Sequence, residues 1–118
     1  MELSKLTKMF LETLSQIKVL HWNTTKYSVH KALDELYSTI GSSSDAFIES
    51  FMGKYGNTVS FKILMSADTN TELFKFLETE REKIKVLHGK FKKDTELQTI
   101  LDDMMNAFNK AIYLCRLE

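Results

Sequence analysis

Residues 27–52, YSVHKALDELYSTIGSSSDAFIESFM, decide the fold. Apolar residues recur there at helical spacing without a proline, and His30, Asp34, Asp45 and Glu49 follow one another at steps of +4, +11 and +4. On a helix of about 3.6 residues per turn those steps return to nearly one face, about 40° and 20° apart, so the four side chains form one polar stripe. Gly41 falls between Asp34 and Asp45 on that stripe. A glycine inside a helix costs roughly 1 kcal/mol in propensity, and a position without a side chain suits close approach of another helix, as between subunits. Upstream, an apolar stripe of Leu3, Leu6, Phe10, Leu14 and Ile17 ends at His21.

Helical periodicity extends over almost the whole chain, which has no proline and only four glycines, and it predicts an all-α domain of four helices. The first helix is expected from Glu2 to His21, ending at the turn-forming Asn23-Thr24-Thr25. The second is expected from Tyr27 to Met52, stopped by Gly53 and Gly56. A connection from Lys54 to Asp68 holds Val59, Phe61, Ile63, Leu64 and Met65; it is too apolar for a free linker and should lie against the bundle and cross it. The third helix should start with Thr69 and Glu72 as a capping box, bury Leu73, Phe76, Leu77, Ile84 and Leu87, and stop at Gly89. The fourth should start near Asp94, with Thr95 and Gln98 as a second box, and run to the C-terminus through Leu97, Ile100, Met104, Phe108, Ala111 and Cys115. Short first and last connections imply two antiparallel hairpins.

A chain of 118 residues, 43% hydrophobic and 27% charged, is expected to be a single domain, 1–118, with one small core. Sixteen basic and sixteen acidic residues cancel, so no global field draws it to nucleic acid or an anionic membrane. The single cysteine, Cys115, excludes an intramolecular disulfide and a cysteine-based zinc site, and is most simply a small buried hydrophobe. No apolar run nears 18 residues and no signal peptide precedes the first helix, which predicts a cytoplasmic protein without a membrane span. The densest basic cluster, Lys83, Lys85, Lys90, Lys92 and Lys93 with His88, lies around the end of the third helix, where cations complement the helix dipole; a nucleic-acid partner is not expected from it.

Each candidate ligand has a bland reading. A lone histidine on an apolar face is usually a hydrogen-bonded core residue, and carboxylates four apart on a helix are usually solvated. The joint register of His21, His30, Asp34, Asp45 and Glu49 points instead to a metal site, with imidazole and carboxylate donors suited to iron, manganese or zinc. One straight helix cannot assemble it. The midpoints of His30/Asp34 and of Asp45/Glu49 are roughly 22 Å apart along the axis, whereas metal–ligand bonds are about 2.0–2.6 Å. A two-fold axis near Gly41, relating antiparallel copies of the second helix, brings His30 and Asp34 of one subunit opposite Asp45 and Glu49 of the other. The expectation is a homodimer through this helix with two equivalent sites, His21 adding a nitrogen from the His30 side.

The same residues resemble a known pattern. Leu20-His21-Trp22-Asn23, then Val29-His30-Lys31-Ala32-Leu33-Asp34-Glu35-Leu36-Tyr37, then Asp45 and Glu49 are similar to the ferroxidase motif of the Dps branch of the ferritin-like superfamily. The resemblance covers about a quarter of the chain. In this chain the step from His21 to His30 is nine residues, about a turn shorter than is usual in that family. The chain is also short, like a minimal version of the kind found in small viral or phage ferritin-like proteins, for which the setting would be the host cytoplasm. The resemblance implies a ferritin-like four-helix bundle with an intersubunit di-iron site: His21, His30 and Asp34 from one subunit, Asp45 and Glu49 from its mate. It also implies oxidation of Fe(II) by peroxide or dioxygen for iron detoxification or storage; the family's further assembly into a hollow dodecamer is left open for this chain. An iron site inside each bundle would use Glu-x-x-His pairs; the chain has none, and neither Glu12 nor Glu80 has a partner histidine.

Trp22 and Tyr27 adjoin the ligands, where they either take up an oxidising equivalent or pack; packing is the commoner role. Two other readings stand beside the ferroxidase. The same ligands would hold zinc or manganese without redox turnover. Alternatively, the chain is a structural helical oligomer, such as a viral partner-binding module, that keeps these residues as polar interface contacts.

Overall fold

A computed structural model describes residues 3–56 and 71–117, and four helices account for nearly all of them: α1 Leu3–Asn23, α2 Tyr27–Tyr55, α3 Leu73–Lys90 and α4 Thr95–Arg116. Lys54, at the end of α2, pairs with Asp94 and Glu96 at the start of α4, at 2.6 and 2.7 Å. Ser28, at the start of α2, donates to the carbonyl of Leu117 beyond the end of α4. Thus α2 and α4 run antiparallel, as do the hairpin partners α1/α2 and α3/α4, and α2 lies parallel to α3. Thr13 links α1 to α3, its hydroxyl donating to Glu80 at 3.1 Å. Glu80 sits on the buried face of α3 and also accepts from Lys83, so its carboxylate is solvated by the protein itself.

Helix ends depart from the expected ones for local reasons. α1 continues two residues beyond His21, and the connection to α2 is only Thr24–Lys26. Gly53 lies within α2; the helix stops at Gly56, whose φ of 71° is the left-handed cap geometry and whose N–H bonds the Met52 carbonyl. Glu72 is itself the N-cap of α3, accepting from the N–H groups of Phe74 and Lys75, rather than the third residue of a box begun by Thr69, which lies outside the described residues. Gly89 is likewise inside α3, which ends one residue later, before the buried Phe91. The box expected at α4 does not form. Asp94 is the N-cap residue, Thr95 is already helical, and Gln98 donates to the His88 carbonyl. Of the expected connection from Lys54 to Asp68, the part from residue 57 onward lies outside the described residues.

One core runs the length of the bundle. Most of the expected stripes of α1, α3 and α4 face it, with Cys115 buried as a small apolar group; Leu14 of α1, Leu73 of α3 and Ile100 of α4 are only half-buried against it, whereas Leu101 and Ile112 are buried. At the end where α2 and α3 finish, Phe47 is fully buried, its ring 5.6 Å from Phe10, 5.3 Å from Phe91 and 6.4 Å from Phe51. Among the described residues no helix is long and apolar enough to cross a membrane.

The same end carries a charge cluster. The Asp94 side chain makes no cap bond; its Oδ1 instead accepts from Lys54 and from the Tyr55 hydroxyl, the latter at 2.5 Å. Hydrogen bonds from Lys54 and then Tyr55 hold the Asp94 carboxyl below the usual carboxylate range, and Lys54 does the same to Glu96. Carboxylates lowered on folding add stability above their unfolded values, and that stability is lost as pH falls through the folded ones. Asp94→Asn is therefore expected to lower the urea midpoint at neutral pH, with the gap to the parent protein closing as pH is taken down through the carboxylate range. A gap independent of pH would assign the effect to packing instead.

Candidate metal centre

His21 occupies the last turn of α1 and His30 the first turn of α2, and the three-residue connection folds one ring onto the other. Its turn is held by the Thr24 N–H on the Leu20 carbonyl, the Lys26 N–H on the Thr24 hydroxyl, and the His30 N–H on the Lys26 carbonyl. The imidazoles stack with centroids 3.8 Å apart and planes inclined by 20°. Nδ1 of His21 lies 2.7 Å from the carbonyl oxygen of His30, and Nδ1 of His30 lies 2.9 Å from that of His21. His21 is 7% exposed, whereas His30 is open to solvent.

A nitrogen lone pair lies in its ring plane, and rings stacked this closely with nearly parallel planes cannot aim two lone pairs at one ion. If both imidazoles bind metal, they bind two ions, with a separation set by the stacking. Paired metal sites have separations of about 3.5–4 Å.

Asp34, one turn beyond His30, is exposed, and so are Asp45 and Glu49 farther along α2. Asp45 and Glu49 meet: a hydrogen bond that the protonated Glu49 carboxyl donates to Asp45, and then the repulsion of the Asp45 charge, push the Glu49 carboxyl above the usual carboxylate range. Glu35, beside Asp34 in sequence, is neutralised by Lys110 of α4 at 3.6 Å; Asp34, Asp45 and Glu49 have no such cation among the described residues. The chain thus brings together two pairs, His21 with His30 and Asp45 with Glu49, and leaves Asp34 separate. No three metal-ligating side chains converge among the described residues of one chain.

Trp22 and Tyr27 are 68% and 74% exposed, so neither is packed into the core. Trp22 instead lines a groove between α1 and α2 with Leu11, Leu14, Val19 and Tyr37. Gly41 lies farther along the same two helices, with Asp45 and Ile48; a Cβ there would meet Leu14 at 4.0 Å, an ordinary contact. Its lack of a side chain is therefore not required by packing within the subunit. Sequence periodicity missed Lys18, whose ammonium stands 4.3 Å over the Tyr37 ring in this groove; the signal was a cation on α1 opposite an aromatic on α2, legible only once the hairpin register is fixed.

The sequence profile of a family of unknown function, DUF5856, matches residues 21–115, a span that begins at His21 and contains all five candidate ligands. No curated protein and no solved structure matches the chain. With most of its length matched, the chain belongs to the DUF5856 family.

Proposed function

We propose that the protein is a Dps-like member of the ferritin-like superfamily that binds and oxidises Fe(II) at sites completed between two subunits. The observation that carries this reading is the split of the donor set along α2: an imidazole pair at one end, an uncompensated carboxylate pair at the other, and no complete set among the described residues of one chain. An antiparallel pairing of two α2 helices about Gly41 would join the His21, His30 and Asp34 half of one subunit to the Asp45 and Glu49 half of its mate. The apolar groove along α1 and α2 would be covered by the same pairing. Parallel α2 and α3, which call for a long connection between them, suit a ferritin-like bundle.

Iron is the substrate here. Hard carboxylate oxygens with borderline imidazole nitrogens accommodate both Fe(II) and Fe(III) and leave positions open for an oxidant. Two Fe(II) ions give one electron each to peroxide, whose O–O bond breaks; with two protons the products are two Fe(III) and two waters. Dioxygen is the other oxidant, and further assembly toward a dodecamer and action in the cytoplasm belong to the same proposal. Trp22, next to His21 in sequence and exposed on the groove, would pack against the mate. A second reading is a divalent-metal binder or structural dimer without turnover. It is favoured by the same groove, which would be covered whether or not iron is present.

The test is anaerobic addition of Fe(II) to metal-free protein, counting iron bound per dimer, followed by peroxide or air with Fe(III) absorbance recorded. Four bound ions per dimer and oxidation faster than that of free iron are expected. Binding of zinc without iron oxidation would select the second reading.

A further inference from the structure

We infer that the short α1–α2 connection presets His21 and His30 as a metal-binding pair before any ion arrives, each residue's backbone carbonyl fixing the tautomer of the other's ring. This rests on the proposed metal-binding reading and adds the device that organises it. A carbonyl oxygen can only accept, so both Nδ1 atoms, at 2.7 and 2.9 Å from their carbonyls, must carry the proton. In the neutral rings both Nε2 atoms are then unprotonated, the form a metal ligand requires. No bond engages either Nε2, and no side-chain polar atom is both buried and unpartnered among the described residues; the Nε2 of the largely buried His21 therefore reaches solvent. A solvated imidazole favours the opposite tautomer, with the proton on Nε2. His88 supplies the contrast within the chain, its Nε2 facing Asp102 at 3.1 Å.

The device depends on the nine-residue step. The reciprocal contacts require the end of α1 and the start of α2 to be close enough for each imidazole to reach across to the other's main chain, and Thr24–Lys26 provide that reach. A longer connection would keep every ligand and lose the lock. Outer hydrogen bonds to ligating histidines are worth about 10–100-fold in metal affinity, so the short step is a source of affinity as well as geometry.

The experiment is long-range proton–nitrogen NMR of metal-free protein at about pH 8, above the ordinary imidazole range, with zinc titration of the parent and of a variant carrying two glycines inserted between Thr24 and Thr25. In the parent, His21 and His30 are expected as Nδ1–H tautomers and His88 as the Nε2–H tautomer. The insertion should return both rings to Nε2–H and weaken zinc binding by about 10–100-fold. A proton on Nε2 of His21 or His30 in the parent would overturn the inference, as would a folded insertion variant that binds zinc as tightly as the parent. Should the insertion not fold, the parent tautomers decide alone. Nδ1–H rings and tight zinc binding without iron oxidation would refute the oxidase and leave this inference standing.

Discussion

Replacing His30 or Glu49 with Ala is expected to abolish stoichiometric Fe(II) binding, weakening it by more than about 100-fold, because an outer hydrogen-bonding partner alone is worth about 10–100-fold and these are proposed as ligands themselves. Fe(II) oxidation should fall to the rate of free iron. The two substitutions are informative because both side chains are exposed and neither belongs to the core. Glu49→Ala removes a carboxylate from a repulsive, exposed pair, and its urea midpoint should not fall below the parent's. His30→Ala gives up the bond to the His21 carbonyl, a net cost of about 1 kcal/mol. Equilibrium iron binding and urea unfolding on the same samples separate loss of a ligand from loss of the fold. Iron bound normally by either variant would remove that residue from the site.

Phe47→Ala should have the largest effect on stability. The ring is fully buried and contacts Phe10, Phe51 and Phe91, so it joins α1, α2 and the turn after α3 at one end of the bundle. Truncation of a buried Phe to Ala removes transfer free energy and leaves a cavity, costing about 3–5 kcal/mol. Domains of this size have about 5–15 kcal/mol in total, so much of the stability would be lost, with a fall in Tm of roughly 10–25 °C. Phe47→Leu keeps most of the volume and should cost about half as much. The urea midpoint and calorimetric Tm measure both. A loss under about 1 kcal/mol for Phe47→Ala would mean that this end of the bundle is not packed as described.

Sequence periodicity was enough for the four helices and for their inward faces, because glycines and apolar spacing act locally. It misplaced several ends because the deciding groups are tertiary. Asp94 looks like an ordinary cap beside Thr95, but Lys54 and Tyr55, some forty residues earlier, claim its carboxylate. Glu72 was read as a helical residue answering Thr69, yet its side chain reaches forward to Phe74 and Lys75. Gly53 and Gly89 were read as stops, although a glycine ends a helix only where the backbone adopts positive φ, as at Gly56. At the candidate site the placing of His30, Asp34, Asp45 and Glu49 along one helix was legible from spacing alone. The His21–His30 stack was not, because it depends on how three connecting residues turn. The place of Trp22 on the groove between α1 and α2 was not legible either, because it is set by the hairpin geometry.

The claim that each site is shared between subunits is tested most directly by mixing two inactive proteins. His30→Ala and Glu49→Ala chains, each unable to oxidise iron alone, would be unfolded together, refolded as a mixture and assayed. In a mixed dimer one site takes its histidine half from the Glu49→Ala chain and its carboxylate half from the His30→Ala chain, and is intact. Random pairing makes about half the dimers mixed with one good site each, so about a quarter of the parent's iron oxidation should return. A mixture as inactive as its components, while the parent refolded in the same way recovers fully, would contradict a site built across the two-fold axis.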